Sequence, residues 1–189
     1  MRERKKKSRI FPIVLAAVLL IAGLCAYRPV MRYAYPLHHE RDIYAAAAEF
    51  GLDPYLVMGV ISAESRFDEN ARSHKDAHGL MQLKEETAAW CVEHMDLAVG
   101  SDLYEPADNI KIGCAYLRYL IDIFDGVEDT ALAAYNAGQG NVRKWLSQYN
   151  GDGKTLTHIP FPETERYVRK VRSRMGIYQN LYGNGENKA

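Results

Sequence analysis

A charge-free apolar segment near the N-terminus constrains this chain most strongly. Residues 10–27 (IFPIVLAAVLLIAGLCAY) run for 18 residues without a charged side chain, and six of the nine residues before them are basic. This length is close to the minimum for crossing a bilayer as a helix and exceeds a typical signal-peptide core. The basic cluster predicts that residues 1–9 form a cytoplasmic tail. We therefore expect residues 10–27 to be a transmembrane signal-anchor that holds everything after it outside the cytoplasm.

A cleaved signal peptide is the alternative to an anchor. No small-x-small cleavage site follows the apolar segment, and Cys25 is preceded by Leu24, where a lipoprotein signal needs a small residue. The pattern therefore favours a single-pass protein of the cell membrane.

The composition of the rest of the chain is that of a packed globular protein. The 189 residues are 48% apolar and 25% charged, which is enough for one domain besides the anchor. Beyond residues 1–9 acidic residues outnumber basic ones. This charge balance argues against a nucleic-acid-binding protein, which normally has a basic domain.

Cys91 and Cys114 leave two interpretations open. Each lies within an apolar helical pattern, which favours buried free thiols, whereas an oxidising compartment would permit a disulfide between them.

Helical periodicity covers nearly all of the exported part. After a juxtamembrane linker at residues 28–39, apolar residues recur at helical spacing through residues 40–182, and residues 183–189 read as a flexible tail. Asp53 and Pro54 predict a helix start, and Asp129 is expected to cap a later helix. Residues 66–83 read as a loop or short helix, and no strand pattern occurs. The fold class predicted for residues 40–182 is therefore all-α.

Glu64 is the most informative polar residue on its own terms. It follows Val60 by four residues and Ile61 by three, which places it on the buried face near the end of its helix. Burial and the negative end of the helix dipole both raise the pKa of a carboxyl. A carboxylic acid that stays protonated near neutral pH is suited to cleaving a glycosidic bond. A buried glutamate in a structural hydrogen bond explains the same pattern.

Four ordered motifs carry a resemblance to a known family. In chain order they are Glu64-Ser65, Gly79–Gln82 (GLMQ), Ala134–Gly138 (AYNAG), and Pro162-Glu163-Thr164 followed by Tyr167. Over residues 40–178 the chain thereby resembles the lytic transglycosylases of the soluble-lytic-transglycosylase (SLT) type, which have a lysozyme-like fold.

The resemblance implies a role for six residues. Glu64 matches the lone catalytic acid, which protonates the glycosidic oxygen and then acts as a base. The residues that match sugar-contacting positions are Ser73, Gln82, Tyr135, Glu163 and Tyr167. From the residues alone, Tyr135 also fits the core, Ser73 an ordinary loop, and Glu163 the first turn of a helix, where the dipole favours an acid. The chain departs from the family at Lys84-Glu85, where Met-Pro is common, and this change puts a charge near the glycan groove.

The activity implied by the resemblance is non-hydrolytic cleavage of peptidoglycan. The β-1,4 bond between N-acetylmuramic acid and N-acetylglucosamine is broken, and the muramic C6 hydroxyl closes a 1,6-anhydro ring. No metal or other cofactor is expected, and the expected partners are peptidoglycan strands and the membrane. Two alternatives remain open: a hydrolytic muramidase of the goose-lysozyme kind, and a non-enzymatic module that binds wall glycan.

Overall fold

The computed structural model describes residues 10–100, 102–149 and 152–183. The cytoplasmic tail expected at residues 1–9, and all but the first residue of the tail expected at 183–189, lie outside the described residues. The chain divides into two compact units, Met1–Pro36 and Leu37–Ala189.

Helix α1, Ile10–Ala34, makes up all of the described part of the first unit except its last two residues. Its segment Phe11–Ala34 is long and apolar enough to cross a membrane, a test that signal sequences near an N-terminus also pass. The helix continues past Pro29, so the first half of the linker predicted at residues 28–39 is helical. One proline removes only one backbone hydrogen bond, and the Met, Arg and Ala residues that follow favour a helix.

Helices are the main elements of the second unit and strand is almost absent, so the all-α prediction is confirmed for the described residues. Its elements are α2 Glu40–Glu49, α3 Pro54–Glu64, β1 Ala77–His78, β2 Leu83–Lys84, α4 Glu85–His94, α5 Pro106–Ile123, α6 Glu128–Ala137, α7 Gln139–Tyr149 and α8 Pro162–Tyr182.

Local signals determine both ends of α3. The Asp53 carboxylate accepts a hydrogen bond from the Tyr55 N–H at 2.8 Å, which confirms the predicted cap. At the other end, the Ser65 hydroxyl donates to the Ile61 carbonyl and accepts from the Phe67 N–H. Arg66 and Phe67 then both adopt left-handed φ angles, 57° and 66°. The helix therefore ends immediately after Glu64, and the chain turns sharply away from it.

Close packing of α3 against α8 forms the centre of the core. The apolar stripe of α3 is fully buried, and Val171 and Tyr178 of α8 are buried as well. A side chain at Gly59 would lie 2.9 Å from the Val171 carbonyl oxygen, so only glycine allows the two helices to approach this closely. This contact fixes where the end of α3 lies relative to α8.

A small β-hairpin replaces the loop or short helix predicted at residues 66–83. β1 and β2 pair antiparallel, with Ala77 opposite Lys84 and His78 opposite Leu83. The GLMQ motif, Gly79–Gln82, is the turn between them. Strands of two residues are too short to leave an alternating pattern in a sequence, which explains why the pattern was not found.

Two further expectations are settled by the fold. Cys91 and Cys114 are buried free thiols, and burial raises the pKa of Cys91 to about 12. Helix α6 begins at Glu128 with Val127 at the cap position, so the predicted cap by Asp129 is wrong. Asp129 lies in the first turn instead, where the dipole favours an acid, and pairs with Arg172 at 2.6 Å.

Candidate active site

A groove of about 490 Å³ brings together five of the six predicted site residues. Its lining includes Glu64, Ser73, Gln82, Tyr135 and Glu163. We call the end of α3 together with α8 the helix wall, and residues 73–84 the hairpin wall. Two other cavities, of about 610 and 620 Å³, are larger, but none of the predicted site residues is among the described residues that line them. The groove is therefore the candidate active site.

Glu64 is a carboxyl that the helix wall keeps largely out of water. Burial raises its pKa from 4.5 to about 7, and two contacts with α8 partly oppose this rise: the Tyr167 hydroxyl and the positive charge of Lys170. A carboxyl with this pKa is present in both protonation states near neutral pH. It can therefore donate a proton and later take one up.

Tyr167 interacts with the Glu64 carboxyl and is not among the residues that line the groove. The tyrosine is 7% exposed. Among the described residues, none forms a hydrogen bond of full geometry with its hydroxyl. Its electrostatic interaction is with Glu64, and burial together with that carboxyl raises the tyrosine pKa well above 10. The hydroxyl thus stays protonated and faces the carboxyl, and the expected contact of Tyr167 with sugar stays a prediction.

Ser73 shapes the start of the hairpin wall. Its hydroxyl oxygen accepts hydrogen bonds from the Ala77 N–H at 3.1 Å and the Lys75 N–H at 3.3 Å. Both bonds use the oxygen as an acceptor, so its proton can be donated to a ligand in the groove.

Gln82 holds the turn of the hairpin in an uncommon conformation. Its φ angle is +50°, in the left-handed region, and its amide nitrogen donates to the carbonyls of Ala71 at 3.1 Å and Gly79 at 2.9 Å. The side chain therefore lines the groove and at the same time ties the turn to the preceding loop. Non-glycine residues in this conformation cluster at functional sites.

Asn109, on α5, is the residue that sequence reasoning missed. It is fully buried, and its amide accepts from the Met81 N–H at 2.8 Å and donates to the carbonyls of His78 and Leu103. A polar residue four positions before Gly113 and eight before Leu117, on the buried face of α5, was the available signal. The Asn109 side chain thus fixes the backbone of the GLMQ turn.

Two further contacts hold the same turn. A side chain at Gly113 would lie 2.3 Å from the Met81 sulfur, so this glycine makes the space that Met81 fills. The Tyr135 hydroxyl donates to the Met81 carbonyl at 2.9 Å, while its ring contacts that of Tyr116. Tyr135 therefore lines the groove and braces the hairpin wall.

The AYNAG and PET motifs meet each other near the groove. The buried Thr164 hydroxyl donates to the Asn136 side-chain oxygen at 2.8 Å, and this bond joins the end of α6 to the start of α8. Gly138 ends α6 with a φ angle of 85°. The hydrogen bond between Thr164 and Asn136 therefore places the two motifs side by side.

Glu163 lies at the exposed edge of the helix wall. Its carboxylate lies 3.5 Å from the Lys75 ammonium of the hairpin wall, and both side chains are more than half exposed. The other lining residues include His74, Lys84, Glu86, Thr87 and Tyr116. The charge that the sequence placed near the groove at position 84 is therefore part of its lining.

No cluster of His, Cys, Asp and Glu suitable for a metal ion occurs among the described residues.

Comparison with known proteins places the chain in a family. The model of the transglycosylase SLT domain matches residues 42–157. A soluble lytic murein transglycosylase of Salmonella typhimurium is 36% identical over 68% of this chain and 21% of its own length. Membrane-bound lytic murein transglycosylase C of the same species is 31% identical over 71% of the chain and 44% of its own length. The chain thus spans less than half of each relative.

Solved structures give the same result. An inactive mutant of the lytic transglycosylase Slt from Pseudomonas aeruginosa superposes with a TM-score of 0.73 at 34% identity, covering 82% of this chain and 26% of that one. The 70 kDa soluble lytic transglycosylase from Escherichia coli superposes with a TM-score of 0.74 at 29% identity, covering 81% and 26%. With its four motifs gathered around one groove, this chain belongs to the transglycosylase SLT domain family.

Proposed function

We propose that the chain is a membrane-anchored lytic transglycosylase that cleaves peptidoglycan strands without water. The observation that carries the proposal is Glu64, a partly buried carboxyl with a pKa of about 7 that lines a groove in an SLT-family fold. The names of the relatives support the same activity. The Pseudomonas aeruginosa neighbour is inactive with one glutamate changed to glutamine, which supports the importance of a carboxyl.

The proposed reaction begins with a proton transfer from Glu64. The acid protonates the oxygen of the bond between N-acetylmuramic acid and N-acetylglucosamine, the bond from the muramic C1 breaks, and the muramic 2-acetamido group stabilises the developing cation. The resulting carboxylate then takes the proton of the muramic C6 hydroxyl, whose oxygen bonds to C1 and closes the 1,6-anhydro ring. Glu64 ends protonated, ready for another cycle. A pKa near neutrality suits both steps.

The other groove residues are proposed to hold the sugar. Ser73, Gln82, Tyr135 and Glu163 line the same space as Glu64 and present hydroxyl, amide and carboxylate groups. Tyr167 is proposed to orient Glu64 rather than to contact the glycan, because it is buried outside the lining.

The intramolecular hydroxyl is favoured over water because the other two carboxyls among the described residues that line the groove are exposed. Glu86 and Glu163 are exposed, and Glu163 is paired with Lys75. A hydroxyl of the same sugar also has the advantage of proximity over a free water molecule. An inverting muramidase would need one of the exposed carboxylates to activate water.

The anchor is proposed to keep this groove just outside the membrane. α1 meets the requirements of length and composition, and the basic residues before it favour a cytoplasmic N-terminus. Retention of the full chain in membranes after alkaline carbonate extraction is the expected result. Release into the soluble fraction would remove the anchor from the proposal.

Mass spectrometry of peptidoglycan digested by the detergent-solubilised full chain tests the activity. We expect muropeptides that end in 1,6-anhydro-N-acetylmuramic acid. Hydrated reducing ends would instead establish a hydrolytic muramidase. Binding to peptidoglycan without any release of fragments would establish a glycan-binding module.

A further inference from the structure

Lys170 lies beside the proposed acid, and none of the motifs includes it. It is on α8, one turn after Tyr167, and its ammonium group donates a hydrogen bond to the carbonyl of Ala63, the residue before Glu64. Ala63 is buried and belongs to the last turn of α3. The close approach of α3 to α8 at Gly59 brings this side chain to the end of α3.

The contact has an ordinary structural explanation. The last four carbonyls of a helix lack partners within it, and a lysine at a helix C-terminus satisfies one of them and complements the dipole. The same contact brings a positive charge near the Glu64 carboxyl, with which the ammonium group interacts electrostatically. In the reaction proposed above, that carboxyl becomes negative when its proton moves to the glycosidic oxygen.

We propose that Lys170 is a positioning residue whose ammonium group, held at the end of α3, stabilises the carboxylate of Glu64 that forms during the reaction. The inference rests on the proposed function, in which Glu64 alternates between acid and base. Lys170 opposes the effect of burial and so keeps Glu64 able to release its proton. Without this charge, burial would hold the proton on Glu64 more tightly and delay the first step.

Glu64 and Lys170 each interact with several titratable groups. Glu64 is faced by Tyr167 and Lys170 from α8 and by Tyr135 from α6. Both tyrosines remain neutral, because their pKa values are raised well above 10. Lys170 in turn interacts with Arg174 on its own helix, with Arg66 after α3 and with Glu64. Among these groups, Lys170 is the one whose positive charge lowers the pKa of Glu64.

The test compares pH profiles of kcat/KM for the full chain and its variants. Lys170→Gln keeps an N–H donor for the Ala63 carbonyl but removes the charge, Lys170→Arg keeps both, and Lys170→Met removes both. The control is Arg169→Met, an exposed neighbour that pairs with Glu165. Activity should fall as pH rises through the pKa of Glu64, because the acid must be protonated in the free enzyme.

The fall of kcat/KM at high pH is the alkaline limb of the profile. In Lys170→Gln and Lys170→Met, we expect this limb to move to higher pH by about half to one unit. It should stay in place for Lys170→Arg and Arg169→Met. A limb that stays in place or moves to lower pH in a folded Lys170→Gln protein would overturn the proposal. A purely structural role would lower activity at every pH and leave the limb where it was.

A second readout separates this inference from the proposed function. The carboxyl carbon of Glu64, identified by its loss from the NMR spectrum of Glu64→Gln, can be titrated without substrate. Its midpoint should rise in Lys170→Gln even if the chain releases no anhydro products. An unchanged midpoint would overturn the role of Lys170 while leaving the reaction itself intact.

Discussion

The two walls of the groove hold their functional groups by different means. In the helix wall, Glu64 is held by the packing of α3 on α8, and its proton affinity is set by burial and by two side chains of α8. In the hairpin wall, the groups lie on tight turns whose backbone is fixed by hydrogen bonds from Asn109 and Gln82. The helix wall therefore depends on apolar packing, whereas the hairpin wall depends on Asn109, a buried polar side chain that is distant in sequence.

The largest effect should come from Glu64, and Glu163, another glutamate of the groove lining, provides the comparison. We expect Glu64→Gln to lower kcat by about a thousandfold or more, because the proposed proton transfer is lost. Glu163→Gln, at the exposed edge, should stay within about tenfold of the wild type, since Glu163 is proposed to contact substrate without reacting. Rates of muropeptide release from the full chain measure both. Equal losses would mean that the two carboxyls act as a pair.

Asn109→Leu should be the most damaging change to stability. It leaves the Met81 N–H and the carbonyls of His78 and Leu103 without their buried partner, at a cost of about 3 to 5 kcal/mol. Thermal unfolding is the measurement, and Asn180→Leu, exposed on α8, is the control that should change little. If both variants unfold at the wild-type temperature, the hairpin wall does not depend on Asn109.

The buried carboxyl of the helix wall should make stability depend on pH. The folded pKa of Glu64, about 7, lies above its unfolded value of 4.5, so the folded state holds a proton that the unfolded state releases. The contribution of Glu64 to the free energy of unfolding is therefore constant below pH 4.5, and it falls by about 3 kcal/mol as pH rises through 7. Glu64→Gln removes this loss, so its advantage in melting temperature should be larger at pH 8 than at pH 4.5. An advantage that is equal at both pH values would contradict the raised pKa.

The smallest effect is expected at the ion pair between the walls. Lys75 and Glu163 are both more than half exposed, and exposed pairs contribute less than about 1 kcal/mol. Lys75→Gln should leave thermal unfolding nearly unchanged. A marked loss of stability would show that the two walls depend on each other.

The sequence predicted the helix wall better than the hairpin wall, for a physical reason. The cap at Asp53 and the buried position of Glu64 both follow from residues close in sequence, because helical contacts repeat every three to four positions. The direction of the pKa shift of Glu64 could be predicted for the same reason. The contributions of Tyr167 and Lys170 could not be, since they depend on how two distant helices pack.

The hairpin wall depends on contacts that a local pattern cannot reveal. The left-handed φ angle of Gln82 and the hydrogen bonds of Asn109, 28 residues beyond Met81, exist only once the turn is folded onto α5. Five of the six residues chosen by resemblance of motifs line one groove, whereas Tyr167 does not line it, and their roles toward sugar stay predictions. Motifs identify which residues lie together and leave open which of them line the groove.

The central claim is that Glu64 joins the sugar's own hydroxyl, rather than water, to the cleaved carbon. Digestion of peptidoglycan by the full chain in oxygen-18 water, followed by mass spectrometry of the new chain ends, tests it most directly. We expect anhydro ends that contain no oxygen from the solvent. One solvent oxygen at each cleaved bond, in products of hydrated mass, would contradict it.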